Sequence, residues 1–156
     1  MLRFVEQTGI FKRLCSIAQY GARLDHCDAV SKEGTYIGAH LLGGVQELKP
    51  GYDAGQIEQE LFVHLPATAE HEDKFFSFLR EQIGKPYDPI SIVYFFGIFS
   101  DRNWHDPGAW TCSELIAAAL ASSGILPENK VVPSSRVTPR DLYLVTSSIA
   151  SGGADA

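Results

Sequence analysis

The apolar positions of this chain change period several times, and each change predicts an element. Over residues 10–20, Phe11, Leu14, Ile17 and Ala18 recur at helical spacing while Lys12, Arg13 and Gln19 fall elsewhere, which predicts a short amphipathic helix. Two strand-like runs follow, 24–30 and 35–42, separated by Ser31-Lys32-Glu33-Gly34. Turn-forming residues and a glycine free to take a positive φ make this pair a hairpin. Gly43-Gly44 breaks the pattern, 45–48 predicts a further short strand, and Pro50-Gly51 marks a turn. From Glu60 to Leu65 the chain alternates, with Leu61, Val63 and Leu65 on one side and Phe62 and His64 on the other, as a half-buried strand does.

Helical spacing returns at 68–83. Glu70, Glu72 and Asp73 open this segment, Phe75, Phe76, Leu79 and Ile83 share a face, and Gly84 and Pro86 close it. A polar, turn-rich loop over 100–109 leads to Trp110, and a helix of small residues runs from Cys112 to Gly124. Pro127, Pro133 and Pro139 then punctuate a coil, 141–145 predicts a closing strand, and 146–156 reads as a disordered tail. The order predicts an α+β fold in a single domain over 1–145, an antiparallel sheet packed by helices. A length of 156 residues supports one core rather than two.

Composition narrows the function classes. At 45% hydrophobic and 21% charged the chain has the make-up of an ordinary globular protein. A formal charge of −6 argues against an extended nucleic-acid surface, which needs clustered Lys and Arg. The most apolar run, 90–99, falls short of the ~18–20 residues that cross a bilayer, so it predicts core and no integral membrane segment. Cys15, Cys27 and Cys112 form no C-x-x-C pair and leave one thiol over in any pairing. With no signal-like stretch near Met1, these thiols predict a reducing, cytoplasmic setting. Nothing in the sequence specifies an oligomer.

The chemistry concentrates at Trp110-Thr111-Cys112-Ser113-Glu114-Leu115. Thr111 and Glu114 have the spacing of a capping box, which puts Cys112 in the first turn of a helix. There the dipole and unpaired N–H groups favour a thiolate. The competing reading is a small apolar residue at a buried helix start. A thiolate enzyme needs a base, and all five histidines, His26, His40, His64, His71 and His105, precede Cys112. His71 falls in an acidic helix start that reads as solvated, and His64 sits on a strand as a substitute base. His105, beside the turn Asp106-Pro107-Gly108, is a reserve. Glu114 is engaged in the cap.

Gly84-Lys85-Pro86-Tyr87-Asp88, Cys112-Ser113-Glu114-Leu115-Ile116 and Gly124-Ile125-Leu126-Pro127 together resemble the nucleophile half of the NlpC-like cysteine peptidases. In most of those the histidine follows the cysteine, an order this chain does not have. The order here is similar to the circularly permuted branch, which includes YiiX-like proteins and the lecithin retinol acyltransferase group. Asp25-His26-Cys27-Asp28-Ala29-Val30, Gly34 and Gly38-Ala39-His40 resemble its histidine strands, and Val137-Thr138-Pro139-Arg140-Asp141-Leu142 resembles its closing segment. Cys27 and Asp28 stand where the family usually has small or apolar residues. The resemblance covers about residues 24–143.

That resemblance implies a permuted papain-like fold, with Cys112 as nucleophile, His26 as general base and His40 as the polar third member that orients it. It also implies Tyr87 as a substrate or oxyanion support close to the nucleophile, and no cofactor. The leading expectation is a thiol hydrolase that cleaves an amide bond, in a peptide or a cell-wall peptide, through an acyl-enzyme. One alternative is a thiol acyltransferase or lipid ester or amide hydrolase, with the aromatic run Tyr94, Phe95, Phe96 and Phe99 lining an acyl site. A second is a non-catalytic binding module that keeps the fold. A third, a metal site of His26, Cys27 and Cys112, has the wrong spacing for a zinc knuckle.

Overall fold

The computed structural model describes residues 1–8, 23–89, 108–126 and 137–152. The helix expected over 10–20, Cys15, the apolar run 90–99, His105 and residues 153–156 lie outside the described residues. Five strands form one sheet: β1 (Leu2–Gln7), β2 (His26–Val30), β3 (Tyr36–His40), β4 (Gly44–Leu48) and β5 (Ile57–Val63), in the order β4-β3-β2-β1-β5. Every pairing is antiparallel. The β2–β3 hairpin turns at Gly34, whose φ is 81°.

Sequence patterning misses β1, although it lies inside the sheet between β2 and β5. Leu2 and Phe4 alternate with Arg3, but Arg3 is buried, and a charged side chain is the usual sign of an outward face. Val5, buried like its neighbours, further blurs the two-residue period.

Three helices lie among the described residues: α1 (Ala69–Glu81), α2 (Cys112–Ser122) and α3 (Pro139–Gly152). They cover one face of the sheet. Leu2 and Phe4 of β1, Cys27 and Ala29 of β2, and Ile37 and Ala39 of β3 pack there with Phe75, Phe76 and Leu79 of α1 and with Leu115, Ile116 and Leu120 of α2. Ile83 lies past the end of α1 and is exposed rather than on the buried face. The closing strand expected at 141–145 is instead the start of α3, and the helix continues through 146–152. Thr138 caps it: its hydroxyl donates to Asp141 Oδ2 at 2.7 Å and accepts from the Asp141 N–H at 3.1 Å. Leu142, Thr146 and Ile149 then face the protein at helical spacing.

Strand alternation leaves Arg3, Asp28, Gly38 and His40 on the face away from these helices, where Tyr52 and Asp53 of the β4–β5 connection meet them.

Candidate active site

The capping box expected from sequence is present. Thr111 is in an extended conformation (φ −86°, ψ 165°), its hydroxyl accepts from the Glu114 N–H at 3.4 Å, and the Glu114 carboxylate accepts from the Thr111 N–H at 3.1 Å. The helix thus begins at Cys112. Ser113 ties that first turn to the segment before α3 by donating to the Val137 carbonyl at 2.5 Å. Leu115, Ile116, Ala119 and Leu120 are fully enclosed, so the helix start has little freedom to move. Cys112 itself is 4% exposed.

Across from it lies the start of β2. The β2–β3 ladder pairs Ala29 with Ile37 and Val30 with Tyr36. Beyond these pairs, at the start of β2, Cys27 and His26 lie close enough to the Cys112 sulfur to shift its ionisation. His26 and Asp28 are two residues apart on one strand and therefore share a side. His26 Nε2 is 2.9 Å from Asp28 Oδ1. With Nε2 engaged there, Nδ1 is the nitrogen left to serve the sulfur.

Both oxygens of Asp28 are engaged. The residue is fully buried, and its second oxygen accepts from the Tyr52 hydroxyl at 2.9 Å and from Arg3 Nη1 at 3.1 Å. Arg3 in turn donates to Asp53 at 2.8 Å and to Glu60, with its guanidinium 4.6 Å from the Tyr36 ring centroid. Gly38 supplies the space: a Cβ at that position would sit 2.2 Å from Asp28 Oδ1.

The electrostatics follow from this packing. Burial works against a charged Asp28, but His26, His40 and Tyr52 outweigh it and hold the carboxyl well below the usual carboxylate range. Burial likewise opposes charge on His26, yet Asp28 and the Cys112 sulfur raise its pKa well above the ordinary value. The Cys27 thiol, against the pull of burial and with help from His26, holds the Cys112 thiol far below the usual thiol range. Cys27 is pushed up by burial and by the neighbouring Cys112 sulfur, so it stays neutral. The group that results is a thiolate beside an imidazolium, with a carboxylate behind the ring.

His40 is brought to the site but not to the place expected of it. Its ring lies 4.8 Å from the His26 ring, centroid to centroid, and its Nε2 is 3.6 Å from Asp28 Oδ1. The bond that fixes His26 comes from Asp28, which corrects the expectation that His40 orients that ring. His40 Nε2 is buried without a hydrogen-bond partner among the described residues. Burial, with the charge on His26 adding to it, lowers the His40 pKa to about 4, so the ring is neutral at pH 7. Tyr87 is half-buried and bridges Trp110, two residues before the nucleophile; it lines an apolar groove with Leu41, Gly43, Gly44, Pro86 and Pro89. His64 lies exposed past β5, and His71 is in the first turn of α1.

Sequence reasoning misses Asp28, Arg3 and Tyr52. The i, i+2 spacing from His26 is the available signal for Asp28; Arg3 and Tyr52 are distant in sequence and carry none. His26, Asp28 and His40 each offer a ligand atom within 4.8 Å of one another. The Arg3 guanidinium on Asp28 opposes a cation there. No family model matches the chain, and neither does any curated protein. No helix among the described residues is long and apolar enough to cross a membrane.

Proposed function

We propose that this chain is a thiol-dependent hydrolase of the permuted papain-like type, cleaving an amide bond in a peptide or cell-wall peptide through an acyl-enzyme on Cys112. One observation carries the reading: the Cys112 sulfur, at the start of a capped helix, meets the His26 ring, whose far nitrogen is fixed by Asp28. The thiolate attacks the carbonyl carbon and the oxyanion is met by the Cys112 backbone N–H. His26, as imidazolium, protonates the departing amine and, then neutral, takes a proton from the water that hydrolyses the thioester. Asp28 keeps the ring oriented and stabilises its charge. Three thiols without a paired motif fit a reducing cytoplasm.

A second reading keeps the nucleophile and changes the substrate to a fatty-acyl ester or amide. The apolar groove of Leu41, Pro86, Tyr87 and Pro89 favours it, because Leu41 follows His40 directly. A panel of peptide amides and acyl esters, followed for burst acylation of Cys112 by intact mass, tests both. Peptide adducts lost in Cys112→Ala support the first reading, and adducts from acyl esters alone support the second. No adduct from either class, with Cys112 alkylated no faster than Cys15 or Cys27 at pH 7, leaves a binding module.

A further inference from the structure

Asp28 stands between two imidazoles. Its Oδ1 is 2.9 Å from His26 Nε2 and 3.6 Å from His40 Nε2, and His40 Nε2 is buried with no hydrogen-bond partner among the described residues. A carboxylate free to turn about its Cβ–Cγ bond would divide that oxygen between the two rings. Strand β3 presents no side chain against Oδ1 to stop the turn, since the residue there is Gly38. The restraint has to come from Oδ2.

Two donors meet Oδ2. Arg3 reaches it through Nη1 alone, at 3.1 Å, while its Nη2 is 2.8 Å from Asp53 and its Nε meets Glu60. A single N–H leaves the carboxylate plane free to pivot, unlike the paired contact of a guanidinium fork. The second donor is the Tyr52 hydroxyl, at 2.9 Å. Tyr52 also packs edge-on with His40, the ring centroids 5.2 Å apart and the planes at 79°. The turns Lys49–Tyr52, Gly51–Ala54 and Asp53–Gln56, each closed by a backbone hydrogen bond, fix the β4–β5 connection that carries it.

We infer that Tyr52 is a positioning residue of this site: its hydroxyl turns Asp28 so that Oδ1 serves His26, and its ring keeps His40 from claiming that oxygen. Strand alternation brings the carboxylate to the correct side of β2, and Tyr52 selects the ring it bonds. Were Oδ1 shared, His26 would spend part of its time without the bond that sets its tautomer and orientation. Tyr52 acts through Asp28 and takes no part in bond making. The inference deepens the hydrolase reading and rests on it for any effect on turnover, whereas the hydrogen bonds themselves stand without it.

Long-range proton–nitrogen NMR spectra of the full chain at pH 7 read the two rings directly, with His26→Gln and His40→Gln variants for assignment. In the wild type the His26 Nε2–H is expected as a downfield, slowly exchanging signal, with none of that kind from His40. Tyr52→Phe removes only the hydroxyl. It is expected to move the His26 signal upfield, to speed its exchange with water roughly tenfold, and to bring up a hydrogen-bonded Nε2–H on His40. Adding His40→Leu, which deletes the competing ring, is expected to restore most of the His26 signal. Equal signals from both rings in the wild type, an observation that needs no variant, overturn the inference. So does a His26 signal that Tyr52→Phe leaves in place, whatever happens to Tm, or a shift that His40→Leu does not reverse. His26 signals that move as expected in a chain that acylates nothing remove the hydrolase reading alone. Normal acylation beside an unmoved His26 signal removes this inference alone.

Discussion

Asp28 accepts the His26 Nε2 hydrogen at 2.9 Å from a position two residues along the same strand, so backbone geometry brings the carboxylate to the ring. No turn or flexible loop intervenes. The pair is as rigid as the sheet, and the thiolate state of Cys112 depends on the charge it places on His26.

Asp28→Asn keeps the shape and removes that charge. The His26 pKa then falls toward its ordinary value, and the Cys112 thiol loses part of what holds it ionised. At a pH below the midpoint, alkylation of Cys112 is expected to slow about tenfold for each pK unit regained. The pH midpoint of alkylation moves up by the same amount. An unchanged midpoint in a folded Asp28→Asn protein would show that Asp28 does not act through His26.

Gly38→Ala tests the same pair by crowding. The added methyl carbon would fall 2.2 Å from Asp28 Oδ1, and Asp28 is enclosed on all sides, so the carboxylate has to leave its place beside His26. Overpacking of this kind costs about 1–3 kcal/mol. A lower Tm together with slower Cys112 alkylation is expected. A stability loss with alkylation untouched would place the strain elsewhere.

Much of the site is legible in the amino-acid order, and the reason is local. The Thr111–Glu114 box and the Ser31–Gly34 turn are signals contained within a few residues, so they locate α2 and the β2–β3 hairpin with Cys112, His26 and His40 on them. The strand expected at 141–145 fails because Leu142 and Leu144 alternate over a window too short to separate periods of 2 and 3.6. Thr138 and Asp141, a capping pair three residues apart, hold the better signal. Arg3 is illegible for another reason. Its role rests on partners 25, 50 and 57 positions away, and only the folded sheet brings these together.

Arg3 is therefore expected to matter for stability more than any surface charge. Its guanidinium is 1% exposed and bonded to Asp28, Asp53 and Glu60. Arg3→Ala leaves buried carboxylates without a counter-charge, a loss of about 3–5 kcal/mol, or roughly 10 °C in Tm for a chain of this size. Pairing Arg3→Ala with Asp53→Asn is expected to recover part of the loss, since one of the stranded charges is gone. Additive losses, read by urea unfolding, would contradict that coupling.

The same buried groups give a signed dependence of stability on pH. His40 is held neutral by burial and by the charge on His26, with a folded pKa of about 4. As pH falls from ~6.5 the unfolded chain takes up a proton at His40 that the folded chain refuses, so stability is lost through this window. Asp25 has the opposite effect. Burial raises its pKa to about 6 despite the Gln7 N–H that it accepts. The folded chain then binds a proton first, and stability is gained as pH falls from about 6 toward ~4. Each effect amounts to about 2 kcal/mol between pH 7 and 4.5, and the two enter the wild-type curve with opposite signs. His40→Gln is expected to gain on the wild type as the solution is acidified, and Asp25→Asn to fall behind it. Urea unfolding at several pH values measures both differences, and curves that stay parallel to the wild type would mean that neither ring nor carboxyl is held as the packing indicates.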